Sequence, residues 1–438
     1  MSTEQLSSSR LNSDGVSAAA LETFKRGREA MRIQENRKAI RFFSDVLDFE
    51  NLHKIFRART LEYRGLCHWL LSEFDAAEAD YRRSLDTSDD LEQKARARVR
   101  LGEVIDFQGN YDKATPIYYQ ALEEATQVQN LLVMGRAHRG LGVLNRRQGN
   151  TEKAVDHLNQ ALASFRQIGE AREQARVLTS LGRTRQARGE IQNALEAHEE
   201  ALKIFISLED RWRQIQVLND IGEAHQALYD IEVAKDYHQQ ALNLANEVEA
   251  ELLKPEIKRN LGVDLFEQGQ TDEGMYYLQA SLDGAREIGN REHEALSLYN
   301  LARAHIRQSN LEMADRLVLM LQNVADDLDA DRYRALASFA KGELLFYQGE
   351  QETAVLQLNK AMLAAQTSLD RGVLWKLHAT ISHVINNPEI AAVHLTIAAD
   401  FIRQTAEPLQ DEALKQTFVQ AAPVVAVLNA AGINPDKL

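Results

Sequence analysis

The stretch that decides the fold is Arg139–Asn150, RGLGVLNRRQGN, which sets three glycines between segments rich in helix formers. A glycine in a helix interior costs about 1 kcal/mol relative to alanine, so the stretch reads at first as a loop able to cradle a phosphate. The rest of the chain removes that reading. LGEVIDFQGNYDKA begins at Leu101, LGVLNRRQGNTEKA at Leu141, LGRTRQARGEIQNA at Leu181, IGEAHQALYDIEVA at Ile221, LGVDLFEQGQTDEG at Leu261, LARAHIRQSNLEMA at Leu301 and KGELLFYQGEQETA at Lys341. The small residue in second place falls at Gly102, Gly142, Gly182, Gly222, Gly262, Ala302 and Gly342, a constant spacing of 40. Such a register is the signature of a repeat array.

Weaker copies extend the array at both ends, with Gly27, Gly65 and Ala379 in the small-residue place. The steps Gly65 to Gly102 and Gly342 to Ala379 are 37 rather than 40, and the total is ten units. Each unit reads as helix, turn, helix, turn. Two helices that cross closely want small residues at the crossing, which Gly142, Ala154 and Ala161 supply in the quoted unit. Gly149 then closes the turn in the left-handed conformation, with Gly109, Gly189, Gly269 and Gly349 in the same place. Gly140 is the glycine that the period does not require. Where Tyr229 and Ser309 replace the turn glycine, looser or shifted local packing is expected. Asn130, Asp210 and Asn290, 80 residues apart, stand where a side-chain oxygen caps the next helix.

Composition agrees with an all-α chain. Only 6 prolines and 22 glycines are spread over 438 residues, of which 44% are hydrophobic. A single cysteine, Cys67, excludes an internal disulfide framework and cysteine-rich zinc sites, and fits a reducing compartment. With no signal-peptide core and no apolar run of membrane length, a cytoplasmic protein is expected. The net charge of −14 disfavours nonspecific binding to nucleic acid or anionic membrane.

The L-G, G, A and A pattern resembles the tetratricopeptide repeat in its long-helix form, over about residues 22–404. Similar repeats occur in spindle-orientation adaptors, kinesin light chains, peptide-sensing bacterial regulators and bacterial signalling ATPases and cyclases. The resemblance implies a right-handed all-α superhelix of about ten helical pairs, whose first helices line the concave side. It divides the chain into a disordered polar leader (1–19), a tetratricopeptide superhelix (20–404) and a C-terminal capping helix and tail (405–438), the helix starting near Leu409. The phrase LQDEALKQTFVQAAPVVAVL is similar to the ends of repeat arrays in bacterial signalling proteins, which points to a bacterial origin.

No catalytic, cofactor-binding or metal-ligating residues are assigned. The chain has no G-x-x-x-x-G-K-[ST], H-E-x-x-H or G-x-S-x-G motif. His198 and His238 fall in the second-helix place that holds Tyr118, Leu158, Leu278 and Leu358 in other units, which reads as packing rather than ligation. A non-enzymatic scaffold or adaptor is therefore expected.

In the family, ligands lie on the concave stripe at −6, −3, +1 and +4 from the small residue. Two adjacent units place Arg136, Arg139, Arg146, Arg176 and Arg183 on it, with no acid between them. Arginine forks of this kind suit an acidic or amphipathic peptide. The competing reading pairs them with acids of neighbouring second helices such as Glu152 or Glu196. Asn260 and Asn300 resemble the asparagines that hold a ligand backbone in tetratricopeptide grooves, and Asn219 joins them on the stripe. Leu296 stands where a chaperone-tail binder carries lysine, so chaperone C-termini are not expected ligands. The alternative function is a bacterial peptide- or partner-sensing regulator whose superhelix changes conformation to control a separately encoded effector.

Overall fold

The computed structural model describes residues 16–365 and 371–438. Among the described residues there are α-helices and two short 3-10 turns, and no strand. Ten helical pairs follow one another. They begin with α1 (Ala18–Arg32) and α2 (Asn36–Leu47), continue through α3 (Lys54–Leu70), α4 (Phe74–Thr87), α5 (Leu91–Phe107), α6 (Tyr111–Gln127), α7 (Leu131–Arg147) and α8 (Thr151–Ile168), and reach α9 (Ala171–Ala187) and α10 (Ile191–Ser207). Then come α11 (Arg211–Ala227), α12 (Ile231–Glu247), α13 (Lys254–Glu267), α14 (Thr271–Glu287), α15 (Arg291–Arg307), α16 (Leu311–Leu328), α17 (Asp331–Tyr347), α18 (Gln351–Ala365), α19 (Arg371–Val384) and α20 (Pro388–Ala406). This is an all-α solenoid of tandem helix pairs.

The turns confirm the sequence reading closely. Gly109, Gly149, Gly189, Gly269 and Gly349 all have φ between 78° and 86°. Tyr229 and Ser309 adopt the same left-handed conformation at φ 59° and 61°, so the turn backbone is kept without glycine and is not shifted. Between pairs, the side chains of Asn130, Asp210 and Asn290 accept from the amides of Val133, Arg213 and His293 at 3.1, 3.3 and 3.0 Å. Each satisfies one of the donors that a helix start leaves open.

The repeating glycine serves the expected backbone crossing, most closely at Gly262, where a Cβ would lie 2.9 Å from the Gly274 carbonyl oxygen, and it also makes room for a side chain. A Cβ on Gly102, Gly142, Gly182, Gly222 or Gly342 would lie 2.4–2.8 Å from the side chain sixteen residues later, respectively Tyr118, Leu158, His198, His238 and Leu358. The missing methyl makes room for a large second-helix side chain. Gly140 serves the neighbouring unit: its Cβ would lie 2.4 Å from the Tyr118 ring, which already rests on Gly102. Tyr118 is thus clamped between two first helices. Adding a methyl there overpacks a closed site, which costs about 1–2 kcal/mol. Urea denaturation should show that loss for Gly140→Ala, and Tyr118→Leu, the residue other units use, should recover most of it in the double variant.

The described contacts divide the chain into two units, Met1–Arg146 with Glu152–Glu170, and Arg147–Thr151 with Ala171–Leu438. In unit 1, Phe24, Phe43, Phe56 and Tyr63 form an aromatic core at the first pairs. The first helix starts at Ala18, capped by Ser17, inside the stretch 1–19 expected as a leader; residues 1–15 of that leader lie outside the described residues. In unit 2, the capping helix expected from near Leu409 is α21 (Glu412–Val419), and the apolar segment expected to begin at Pro423 is a second short helix, α22 (Ala422–Ala430). Pro423 explains the break: it lacks the amide needed to continue α21 and fits the first turn of a new helix.

Candidate binding face

First helices of successive units lie side by side: α3 meets α5 in unit 1, and α9, α11, α13, α15, α17 and α19 meet in turn in unit 2. In each unit the first-helix face carries the expected stripe, but its rows differ in access. The row directly after the small residue, Glu103, Val143, Arg183, Glu223, Val263, Arg303 and Glu343, is partly exposed throughout. The row three before it is mostly buried, at Val99, Asn219, Arg259, Tyr299 and Phe339, because it meets the adjacent first helix. That row was expected to face a ligand and instead meets the next first helix of the same unit.

Charges on this face are paired along the array. In unit 1, Arg96 bonds Glu62 at 3.2 Å, and Arg139 bonds Glu103 at 2.6 Å while Arg100 holds the other oxygen of Glu103 at 2.9 Å. In unit 2, Arg183 Nε donates to both oxygens of Asp220 at 2.8 and 3.0 Å. Arg259 reaches Glu223 at 3.2 Å, and Arg303 grips Glu343 through two bonds of 2.7 and 3.0 Å. The Arg303 guanidinium also lies 5.4 and 5.3 Å from the Tyr299 and Phe339 ring centres, a cation–π contact on two rings. For these pairs the carboxylate sits on the neighbouring or the same first helix, not on a second helix.

Beneath the face runs a buried polar layer. Asp264, fully buried, accepts from Gln226 Nε2 at 2.7 Å and meets His238 Nδ1 at 2.5 Å. Burial pushes the Asp220 carboxyl up to about 7, against the pull of Arg183. His198 is fully buried with no bonding partner on either ring nitrogen, and burial lowers its pKa to about 3, with Arg183 adding to the effect. Among the described residues no group of three or more His, Cys, Asp and Glu could hold a metal ion.

Sequence comparison accounts for this repeating geometry. The tetratricopeptide repeat model matches residues 93–167, 169–247 and 254–320, together half of the chain. The chain belongs to the tetratricopeptide repeat family. No curated protein sequence matches it. Among solved structures, a Rap protein complexed with competence and sporulation factor is similar with a TM-score of 0.59 at 14% identity, covering 86% of this chain and 98% of that one. Aspartyl phosphate phosphatase F from Bacillus subtilis gives 0.53 at 12% identity, over 82% and 97% of the two chains. The apo form of RapI gives 0.51 at 15%, over 62% and 99%. At these identities the likeness is one of fold.

Within this tetratricopeptide array the residues singled out from sequence take distinct places. Arg136, Arg139 and Arg146 stand on α7 in unit 1, partly exposed. Arg176 and Arg183 stand on α9 in unit 2; Arg176 bonds Glu173 one turn earlier at 3.1 Å. Asn219 and Asn260 are buried and bonded to each other at 2.9 Å, with the Asn260 amide also donating to Glu223 at 2.8 Å. Asn300 is partly exposed and donates to the Leu296 carbonyl of its own helix. Asp220 escaped the sequence reading, whereas Glu223 and Glu343 stood on the stripe without their arginine partners being read. Their signal was present as an acid 36 to 40 positions from an arginine, the spacing at which side chains of successive first helices meet.

Proposed function

We propose that this tetratricopeptide array is a non-enzymatic cytoplasmic scaffold that takes an amphipathic peptide, or such a segment of a partner protein, along the first-helix face of unit 2. One observation carries the reading. The partly exposed −6 and +4 positions change along the face from Arg176, Gln186, Gln216 and Gln226 to Phe266, Leu296 and Phe346, polar at one end and apolar at the other, while Arg303 and Glu343 in the row after the small residue pair with each other. A peptide with a polar and an apolar half matches this order. A purely acidic ligand fits less well, because Arg183, Arg259 and Arg303 already hold carboxylates. Arg176 and Arg183 supply charge at the polar end, and Asn300 remains partly exposed to meet a peptide backbone. Asn219 and Asn260 serve by holding Arg259 and Glu223 in place, and Arg136, Arg139 and Arg146 offer basic character on unit 1.

The test is selection of peptides on the full chain from a displayed random library, followed by titration of a selected peptide. Phe266→Ser and Leu296→Ser should each weaken binding about tenfold, the share of a central apolar contact. Raising salt from 50 to 500 mM should change affinity less than threefold, since few net charges are neutralised. Affinity untouched by both serine variants, or falling steeply with salt alone, overturns the assignment. The sensor reading, in which unit 2 changes conformation to control a separate effector, is favoured by one feature, the contact between the two ends of unit 2.

A further inference from the structure

The turn of one helical pair normally faces solvent. In unit 1 this edge is open: Leu70 and Phe107, at the turns after α3 and α5, are more than half exposed. In unit 2 two such turns are covered by residues about 140 to 220 positions later. Gln192 Oε1 at the start of α10 accepts from the backbone amides of Gln410 and Asp411 at 2.6 and 3.2 Å. A Cβ on Gly189 would meet Thr405 Oγ1 at 3.1 Å and the Arg371 side chain at 3.5 Å. In the next turn, Tyr229 lies 6.4 Å, centre to centre, from the ring of Trp375, and Lys376 Nζ is 5.3 Å above the Tyr229 ring.

The sequence of these turns departs from the repeat where the contact falls. Five other units place Gln108, Gln148, Gln268, Gln308 and Gln348 before the left-handed residue; Ile33, Leu71 and Leu228 are apolar there, and of these three only Leu228 is fully buried. The left-handed place itself holds Tyr229, a residue strained at φ 59°, where five other units use glycine. Ile191 is buried where Tyr111, Thr151 and Thr271 are not. Tyr229 thus gives up the usual turn chemistry where it meets Trp375 and Lys376, and Leu228 and Ile191 are buried beside these contacts. The register of the array also breaks by three residues just before that segment, between Gly342 and Ala379.

We propose that the segment from Arg371 onward is an intramolecular clasp, which closes unit 2 by docking on the turn edge of α9–α12 and opens without unfolding the repeats. A joint whose backbone hydrogen bonds to Gln192 are exposed separates more readily than the packed helix pairs on either side. Opening uncovers Ile191, Leu228 and Tyr229 and frees α19 to α22 to move away from α9–α12. The proposal does not rest on what the first-helix face binds.

The test uses the full chain with Trp69→Phe and Trp212→Phe, so that Trp375 is the sole tryptophan. Leu228→Gln with Tyr229→Gly restores the repeat's own turn and so leaves the local fold at least as favourable, while removing the clasp contact. Trp375 fluorescence is expected to shift to the red and become several-fold more open to acrylamide quenching. Hydrogen exchange is expected to rise at least tenfold at Gln410 and Asp411, whose amides lose their partner, with the helices α9 to α20 and the far-ultraviolet helical signal unchanged. Gln192→Ala, which leaves the turn backbone alone, should raise exchange around Gln410 and Asp411 only. Trp375 remaining protected, or the helices α9 to α20 losing protection, overturns the clasp and makes the segment an ordinary part of the core.

Discussion

Replacing Arg183 with leucine is expected to destabilise unit 2 by about 1–2 kcal/mol at pH 8, because the nearly buried Asp220, raised to about 7 even beside its cation, must then take up a proton to stay in place. Asp220 keeps 4% of its side-chain surface in water, and its two bonds to Arg183 Nε are the strongest compensation it has. The cost should shrink as pH falls. Burial already raises this carboxyl to about 7, so a carboxyl deprived of its cation takes up a proton rather than remain charged. The sign follows from linkage. A group whose folded pKa lies above its unfolded value of 3.8 binds the proton more tightly when folded, so its contribution declines as pH rises from about 4 to 7. Asp220→Asn should therefore remove most of the penalty of Arg183→Leu, and more completely at pH 8 than at pH 5.5. Urea denaturation of the four proteins in the cycle at both pH values measures this. Equal losses for Arg183→Leu with and without Asp220→Asn would show that the pair does not hold the face together. The cycle also governs binding work, since a charge reversal at Arg183 alone changes stability and ligand contact together.

Much of this was legible in the sequence, and the limits have physical causes. The 40-residue period fixes helices, turns and caps because each rests on local chemistry: left-handed glycine at 149, the capping oxygen at Asn130, small residues at 142 and 182. The stripe was readable as a face but not as an order of burial. Row −3 is buried at Asn219, Arg259 and Tyr299 by the adjacent first helix, an effect of how units stack rather than of any one helix. The arginines stood out because like charges cluster in sequence, whereas Asp220 and Glu223 lie a whole unit away from the cations they meet. Tyr229 was visible as a departure from the repeat, but what it packs against, Trp375, is 146 residues distant, beyond the reach of any periodicity.

Replacing His198 with leucine is expected to stabilise the protein at pH 7 and to widen its advantage by about 2 kcal/mol on acidification to pH 5. The His198 ring fills the slot made by Gly182, where a Cβ would lie 2.4 Å away, and both ring nitrogens are buried without a partner. Other units place Leu158, Leu278 and Leu358 in this slot, so leucine fits and removes two unsatisfied polar atoms, each of which costs on the order of 1 kcal/mol. The acid effect has the opposite sign to that of Asp220. Burial holds His198 near a pKa of about 3 against 6.5 in the unfolded chain, so below pH 6.5 the unfolded state takes up a proton that the folded state refuses. Stability from this group is complete above 6.5 and is lost as pH falls toward 3, at about 1.4 kcal/mol per pH unit once well below 6.5. His138 and His378, each lowered to about 4 by burial, add slopes of the same sign but remain in both proteins and cancel in the comparison. Paired urea denaturations at pH 7, 6 and 5 read the difference directly. A gap between the two proteins that stays constant over that range would mean that His198 accepts its proton inside the fold, with Asp220 Oδ2, 3.9 Å away, taking the part of its partner.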